Sequence, residues 1–126
     1  MEIGNIKFKA KKTLDGKWIK GDLVHHKDSD NVWVTDYENQ LTSPVDPSTV
    51  CMFTGLKDCD GKEIWEGDIL LDTDSDIQYT VMYSDYSGAF FIRKNGTVND
   101  DMYLFELSDV DKCIAFLEVI GNKFDK

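Results

Sequence analysis

Ile6, Phe8 and Ala10 alternate with Lys7, Lys9 and Lys11 near the start of the chain. A period of two is the pattern of a half-buried strand, so this stretch predicts a strand with its apolar residues inward and its lysines outward. Asp15-Gly16 follows as a turn, and Trp18 to His26 returns as a second strand. Lys27 to Asn31 reads as a polar turn and Val32-Trp33-Val34 as a third short strand, completing an antiparallel meander. Further on, Asp60-Gly61 is a strong hairpin-turn signal, because glycine takes positive φ at no steric cost. The run Glu63 to Leu71 then predicts a strand interrupted by Gly67, where an isolated glycine implies a bulge or a bend. Ile69, Leu70 and Leu71 suit a strand buried on both faces or one closing a small barrel.

The same reading continues to the end. Asp72 to Asp76 is an acidic loop, Ile77 to Tyr83 an alternating strand, Asp85 to Gly88 a turn and Ala89 to Ile92 a strand. Asn95-Gly96 is another turn, Met102 to Leu107 a strand, and Ser108 an N-cap for a short helix or turn through Cys113. Ala115 to Ile120 is the last strand, stopped by Gly121-Asn122. Short strands with turns at close spacing make the fold class mainly β, with few or short helices. The expected architecture is an N-terminal antiparallel meander plus a small five-stranded, SH3-like β-barrel in the C-terminal part.

Tyr37 to Thr49 holds both prolines, Pro44 and Pro47, and few apolar residues, so it predicts a linker. Lobes are expected at 1–50 and 51–126, together forming one domain. There is also an internal echo. DGKWIKGDLV from Asp15 to Val24 parallels DGKEIWEGDIL from Asp60 to Leu70, and matching bent hairpins are one expectation.

The stretch FTGLKDCDGKEIWEGDIL, beginning at Phe53, resembles the core motif of the YopX family of phage and prophage proteins. Ile6 to Ala10 with Gly16 to Val24 resembles that family's opening, although Lys11-Lys12 stands where members often have a tryptophan. Val45 to Val50 resembles the segment before the core motif, and Glu118 to Asn122 the closing strand. The resemblance implies a small β-rich phage protein and no established activity, so no catalytic residue transfers from it. Its motif residues Gly55, Asp58, Gly61, Trp65, Glu66, Gly67 and Asp68 are expected to be structural.

Charge narrows the partners. The 126 residues hold 24 acidic against 14 basic side chains, a formal −10, which repels a phosphate backbone. Nucleic acid is therefore not the expected partner; Lys7, Lys9, Lys11 and Lys12 are its only support. Cys51, Cys59 and Cys113 are odd in number and widely spaced, which indicates reduced thiols rather than disulfides or a zinc site. Met1 to Lys12 has no apolar signal core and no run is long enough to span a bilayer, so the cytoplasm of a bacterial host is the expected location.

No constellation singles out an enzyme. Asp72, Asp74 and Asp76 open like a calcium loop, but Ile77 and Tyr83 stand where that loop needs glycine and a bidentate glutamate. Asp58, Asp60 and Glu63 fail likewise. His25 and His26 are neighbours on a strand and point to opposite faces. Nucleophile-elbow and phosphate-cradling motifs are absent from the sequence. Glu66 and Asp68 flank Gly67 as a possible acid–base pair, but an Asp68 that accepts backbone N–H bonds at the bend is the favoured reading. Trp18, Trp33, Trp65, Phe53, Phe90, Phe91, Phe105 and Phe116 read as core, some of them available to an oligomer interface. The expectation is a non-enzymatic phage accessory module for binding or scaffolding, without catalytic residues, cofactor or metal. Homo-oligomerisation and a host or phage protein partner are expected. The alternative is an acidic inhibitor or nucleic-acid mimic of a basic host protein.

Overall fold

The computed structural model describes residues 2–98 and 100–125. The chain divides into two compact units, one up to Phe53 and one from Thr54 on. Both are built of antiparallel strands.

In the first unit, β1 (Phe8–Lys11), β2 (Trp18–His25), β3 (Val32–Asp36), β4 (Thr42–Val45) and the start of β5 (Cys51–Lys57) stand in the order β4-β3-β2-β1-β5. Phe8 faces Gly21 across the β1–β2 ladder and Met52 across the β1–β5 ladder. Ala10, Ile19, Val34 and Val45 form the core, with Leu23, Val32 and Val50 packed on it.

Two expectations fail here for clear reasons. The first strand begins at Phe8, because Ile6 closes a 3₁₀ turn by donating its N–H to the Ile3 carbonyl at 2.9 Å and is 47% exposed. Within β1 the lysines do not all face water. Lys9 is only 9% exposed, and its ammonium sits 4.5 Å from the centre of the Trp18 ring. An aliphatic stem can be covered while the charge rests on an aromatic face.

Tyr37 to Thr49 is not a linker. Thr42–Val45 is β4, the edge strand, where Pro44 lies opposite Trp33. An edge tolerates a residue that cannot donate, and the Pro44 carbonyl still accepts from Thr13 N–H at 3.1 Å. Asp46 is extended, as a residue before proline must be, and its carboxylate takes the Ser48 N–H at 3.0 Å to start the 3₁₀ turn Pro47–Thr49.

In the second unit β5 finishes and pairs with β6 (Glu63–Trp65). The other strands are β7 (Asp68–Asp72), β8 (Ile77–Ser84), β9 (Ala89–Lys94), β10 (Asp101–Tyr103) and β11 (Leu117–Asn122), ordered β10-β9-β8-β7-β11. Leu56, Ile64, Leu70, Val81, Ile92, Leu104, Ile114 and Leu117 form its core. Of the apolar triplet in β7 only Leu70 is fully buried; Ile69 and Leu71 are half-buried. The sheet has two ends, β10 and β11, and no closed barrel is detected among the described residues, so the SH3-like closure does not appear.

Gly67 makes a turn, not a bulge. It ends β6 and starts β7 with φ +84°, its N–H donating to the Val81 carbonyl at 2.8 Å. The bulge lies in β11, where the register slips between Val119 and Gly121. This ends the idea of a repeat. Gly21 runs straight through β2, paired with Phe8 and Asp36, whereas its counterpart Gly67 lies outside any strand, in the turn between β6 and β7.

After Tyr103 the chain leaves the sheet in a 3₁₀ turn, Phe105–Leu107, whose far end Ser108 caps; no helix starts there, but the expected turn before Cys113 is present, Lys112 N–H donating to the Asp109 carbonyl at 3.0 Å. The last strand is shifted to Leu117–Asn122. Trp65 is core at 2% exposure, but Phe105 at 70% and Phe116 at 38% are surface residues.

Candidate functional site

Two features of the second unit could bear function: a buried polar hub and an apolar groove. The hub contains most of the motif residues. Asp58 is 1% exposed, and three backbone N–H groups point at its carboxylate. Oδ1 accepts from Asp60 at 2.9 Å and Lys62 at 2.8 Å, and Oδ2 accepts from Val119 at 2.8 Å. Gly61, with φ +81°, lets the chain turn tightly enough for this. Asp68 is 2% exposed; Oδ2 accepts from Trp65 N–H at 2.8 Å and Oδ1 from the Asn122 amide at 2.9 Å. The Asn122 amide also donates to the Glu66 carbonyl at 3.2 Å, and the Asn122 backbone N–H donates to Asp125 at 3.0 Å.

The two aspartates therefore clasp β11 to the turns at Gly61 and Gly67. Gly55 stands apart, in β5, with φ +82°. Asn122 and Val119 are hub members that pattern reading missed. Gly121-Asn122 looked like a strand stop, and nothing local marks Val119 as a donor to a carboxylate 61 positions earlier. Both oxygens of Asp68 accept hydrogen bonds from within the fold, as buried polar atoms do.

The other candidates also resolve into local structure. Asp72 Oδ1 accepts from Asp74 N–H at 3.0 Å, which closes the hairpin between β7 and β8. Among the described residues no group of three or more His, Cys, Asp or Glu is placed to hold a metal ion. His26 meets Trp33 edge-on, ring centres 5.2 Å apart. Local desolvation first, and then the charges of Asp60, Asp58 and Glu118, push the Cys59 thiol above its ordinary range. Cys51 is buried, its Sγ donating to the Thr49 carbonyl. No helix among the described residues is long and apolar enough to cross a membrane.

The groove lies beside the β10 edge and encloses about 370 Å³. Leu56, Phe90 and Leu104 contribute its apolar surface, together with Thr54 and Ala89. Tyr103, 47% exposed, Phe105, 70% exposed, and Glu106 line it as well. Its volume lies in the range of small binding clefts. A smaller depression of about 200 Å³ in the first unit, among Trp18, Lys20, Asp36 and Tyr37, has a mixed polar lining.

Beside the groove, Arg93 grips Asp101 with two hydrogen bonds, 2.7 and 3.0 Å long, tying β9 to β10. That bond holds the Asp101 carboxyl below its ordinary range and raises the Arg93 guanidinium. A depressed carboxyl stabilises the fold fully above its unfolded pKa and loses that contribution as pH falls through the folded one. The β10 edge should therefore loosen only on acidification, below the ordinary aspartate value of about 3.9. In carboxyl NMR titrations Arg93→Ala should move Asp101 upward to the ordinary range. An unchanged titration would remove Arg93 as the cause.

Charge is divided unequally. From Thr54 on there are 16 Asp and Glu against 7 Lys and Arg, a formal −9; up to Phe53 there are 8 against 7, a formal −1. The groove thus belongs to the strongly acidic unit, and the charged residue in its lining is Glu106.

Among curated proteins no match is found. With the glycine-centred turns, the aspartates that hold them and the closing strand all in place, the chain belongs to the YopX protein family, whose model matches residues 7–126.

Proposed function

We propose that this YopX family member is a binding module, a phage or prophage accessory protein of the bacterial cytoplasm that acts by contact rather than by chemistry. Its working surface is the groove bounded by β9, β10 and the Phe105–Leu107 turn. The observation that supports this is the exposure of Tyr103 and Phe105 beside a ready-made apolar cleft. Aromatic side chains left on a surface give up their area to water unless a partner covers them, and they are enriched where partners dock.

The test is a paired capture. Wild type and Phe105→Asp would be used as baits in infected or induced host cells, with far-UV circular dichroism confirming that both are folded. A protein retained by wild type and lost by Phe105→Asp supports the reading; identical capture by both baits removes the groove from it.

The acidic second unit favours one refinement, the alternative of an inhibitor or mimic that occupies a basic host protein. Such a complex weakens steeply as salt rises, because exposed charges more than a Debye length apart, about 8 Å at physiological ionic strength, are screened. Retention unaffected by salt would exclude it. Self-association is the further proposal for this chain, and light scattering across a concentration series reads it directly.

A further inference from the structure

We infer that the groove takes an extended, basic segment of a partner protein, added as a new strand along β10 with one large apolar side chain seated between Phe90, Leu104 and Phe105. This deepens the binding-module reading and rests on it. The first observation is the free edge. Among the described residues β10 ends its sheet and pairs with β9. Leu104 N–H donates to the Phe90 carbonyl and the Asp100 carbonyl accepts from Lys94, so the residues between them alternate in direction. Asp101 and Tyr103 consequently aim their N–H and C=O groups away from β9, as a template for another strand. Main-chain bonds along such an edge supply affinity, and a side-chain pocket beside it supplies selectivity.

The second observation is the groove itself, to which Tyr103 belongs as well as to the edge. A strand docked on β10 would bring alternate side chains past it. The third is charge. Asp100, Asp101, Glu106, Asp109 and Asp111 fall within one stretch that has no lysine or arginine until Lys112. Among the described residues Asp101 is matched in an ion pair, by Arg93. A second copy pairing edge to edge would set this acidic stretch against itself, which disfavours self-docking here. A segment with lysine or arginine flanking its apolar residue meets Glu106 favourably.

The experiment uses the ¹⁵N-labelled full chain and synthetic peptides. Acetylated, amidated Lys-Val-Phe-Val-Lys is titrated, then Glu-Val-Phe-Val-Glu, then two versions of the basic peptide N-methylated either at both valines or at the phenylalanine. The expected result is shifted amides at Asp101, Tyr103 and Phe105 with the basic peptide. The acidic peptide and one of the two methylated peptides should each bind about fivefold more weakly, the effect of roughly one lost hydrogen bond or charge contact. Glu106→Lys should weaken the basic peptide while leaving the rest of the spectrum in place.

If both methylated peptides bind as well as the parent, strand addition is wrong although a groove-binding module stands. Equal binding of acidic and basic peptides overturns the assigned chemistry. Shifts confined elsewhere, or none with any peptide, overturn the whole inference. So does movement of the β10 amides as the protein is concentrated without peptide, in step with a doubling of mass by light scattering, because a second copy then holds the edge.

Discussion

Replacing Asp58 by alanine should destabilise the second unit by about 3 kcal/mol, since a buried donor left without its acceptor costs roughly 1–3 kcal/mol and three lose one here. The three are the N–H groups of Asp60, Lys62 and Val119. At the size of this chain that should lower the unfolding midpoint by on the order of 10 °C. Asp58→Asn is the informative control. Its single carbonyl oxygen can keep the Asp60 and Lys62 bonds, which share Oδ1, but its NH₂ group then faces the Val119 N–H. It should therefore fall between wild type and alanine. Denaturant unfolding gives the energies, and hydrogen exchange should show Val119 losing protection in both variants. A change in Asp58→Ala of less than about 0.5 kcal/mol, the ordinary scatter of surface substitutions, would mean that the carboxylate does not hold β11.

Gly21→Ala should be at least as damaging to the first unit, and for a different reason. A Cβ at this position would lie 1.8 Å from the Thr35 carbonyl oxygen and 2.7 Å from its carbon, both main chain of β3. No rotamer change relieves a clash with a paired backbone, so the ladder must part, at a cost of about 3 kcal/mol or more. Gly16→Ala separates sterics from conformation. That glycine has φ +72° with nothing within 4 Å of an added Cβ, so only the left-handed backbone is penalised, by about 1 kcal/mol. Equal losses at the two positions would refute the close-approach account of Gly21.

The turns were readable because their cause is local. Asp15-Gly16, Asp60-Gly61 and Asn95-Gly96 all place a glycine at positive φ, a backbone demand that neighbouring residues advertise. Alternation located β1 and β8 for the same reason. What escaped depends on who stands opposite. Whether Lys9 meets water is decided by Trp18, brought alongside by the β1–β2 register. Whether Pro44 breaks a strand depends on its being at an edge, which composition cannot state.

Gly67 was readable as a break, but not as the point where the chain passes from one sheet to the other, because one of the two strands beside β7 is β11, which comes last in the chain. Asp68 could be read as a turn-holder, whereas its second partner, Asn122, lies 54 positions later. The groove was not readable at all. Leu56, Phe90 and Phe105 meet only after three separate segments have packed, and Phe105 looked like any other core aromatic.

The clasp between Asp58 and Val119 also sets a schedule for the newborn chain. Those residues are 61 apart, so at synthesis speeds of about 5–20 residues per second the second emerges some 3–12 s after the first. The segment up to Phe53 has all its own strand partners early and can settle first. The later segment must wait with Ile64, Leu70, Val81 and Ile92 uncovered until its last strand arrives. Slow translation or a premature stop before Asn122 would lengthen that wait, and holding chaperones or aggregates would be the visible result.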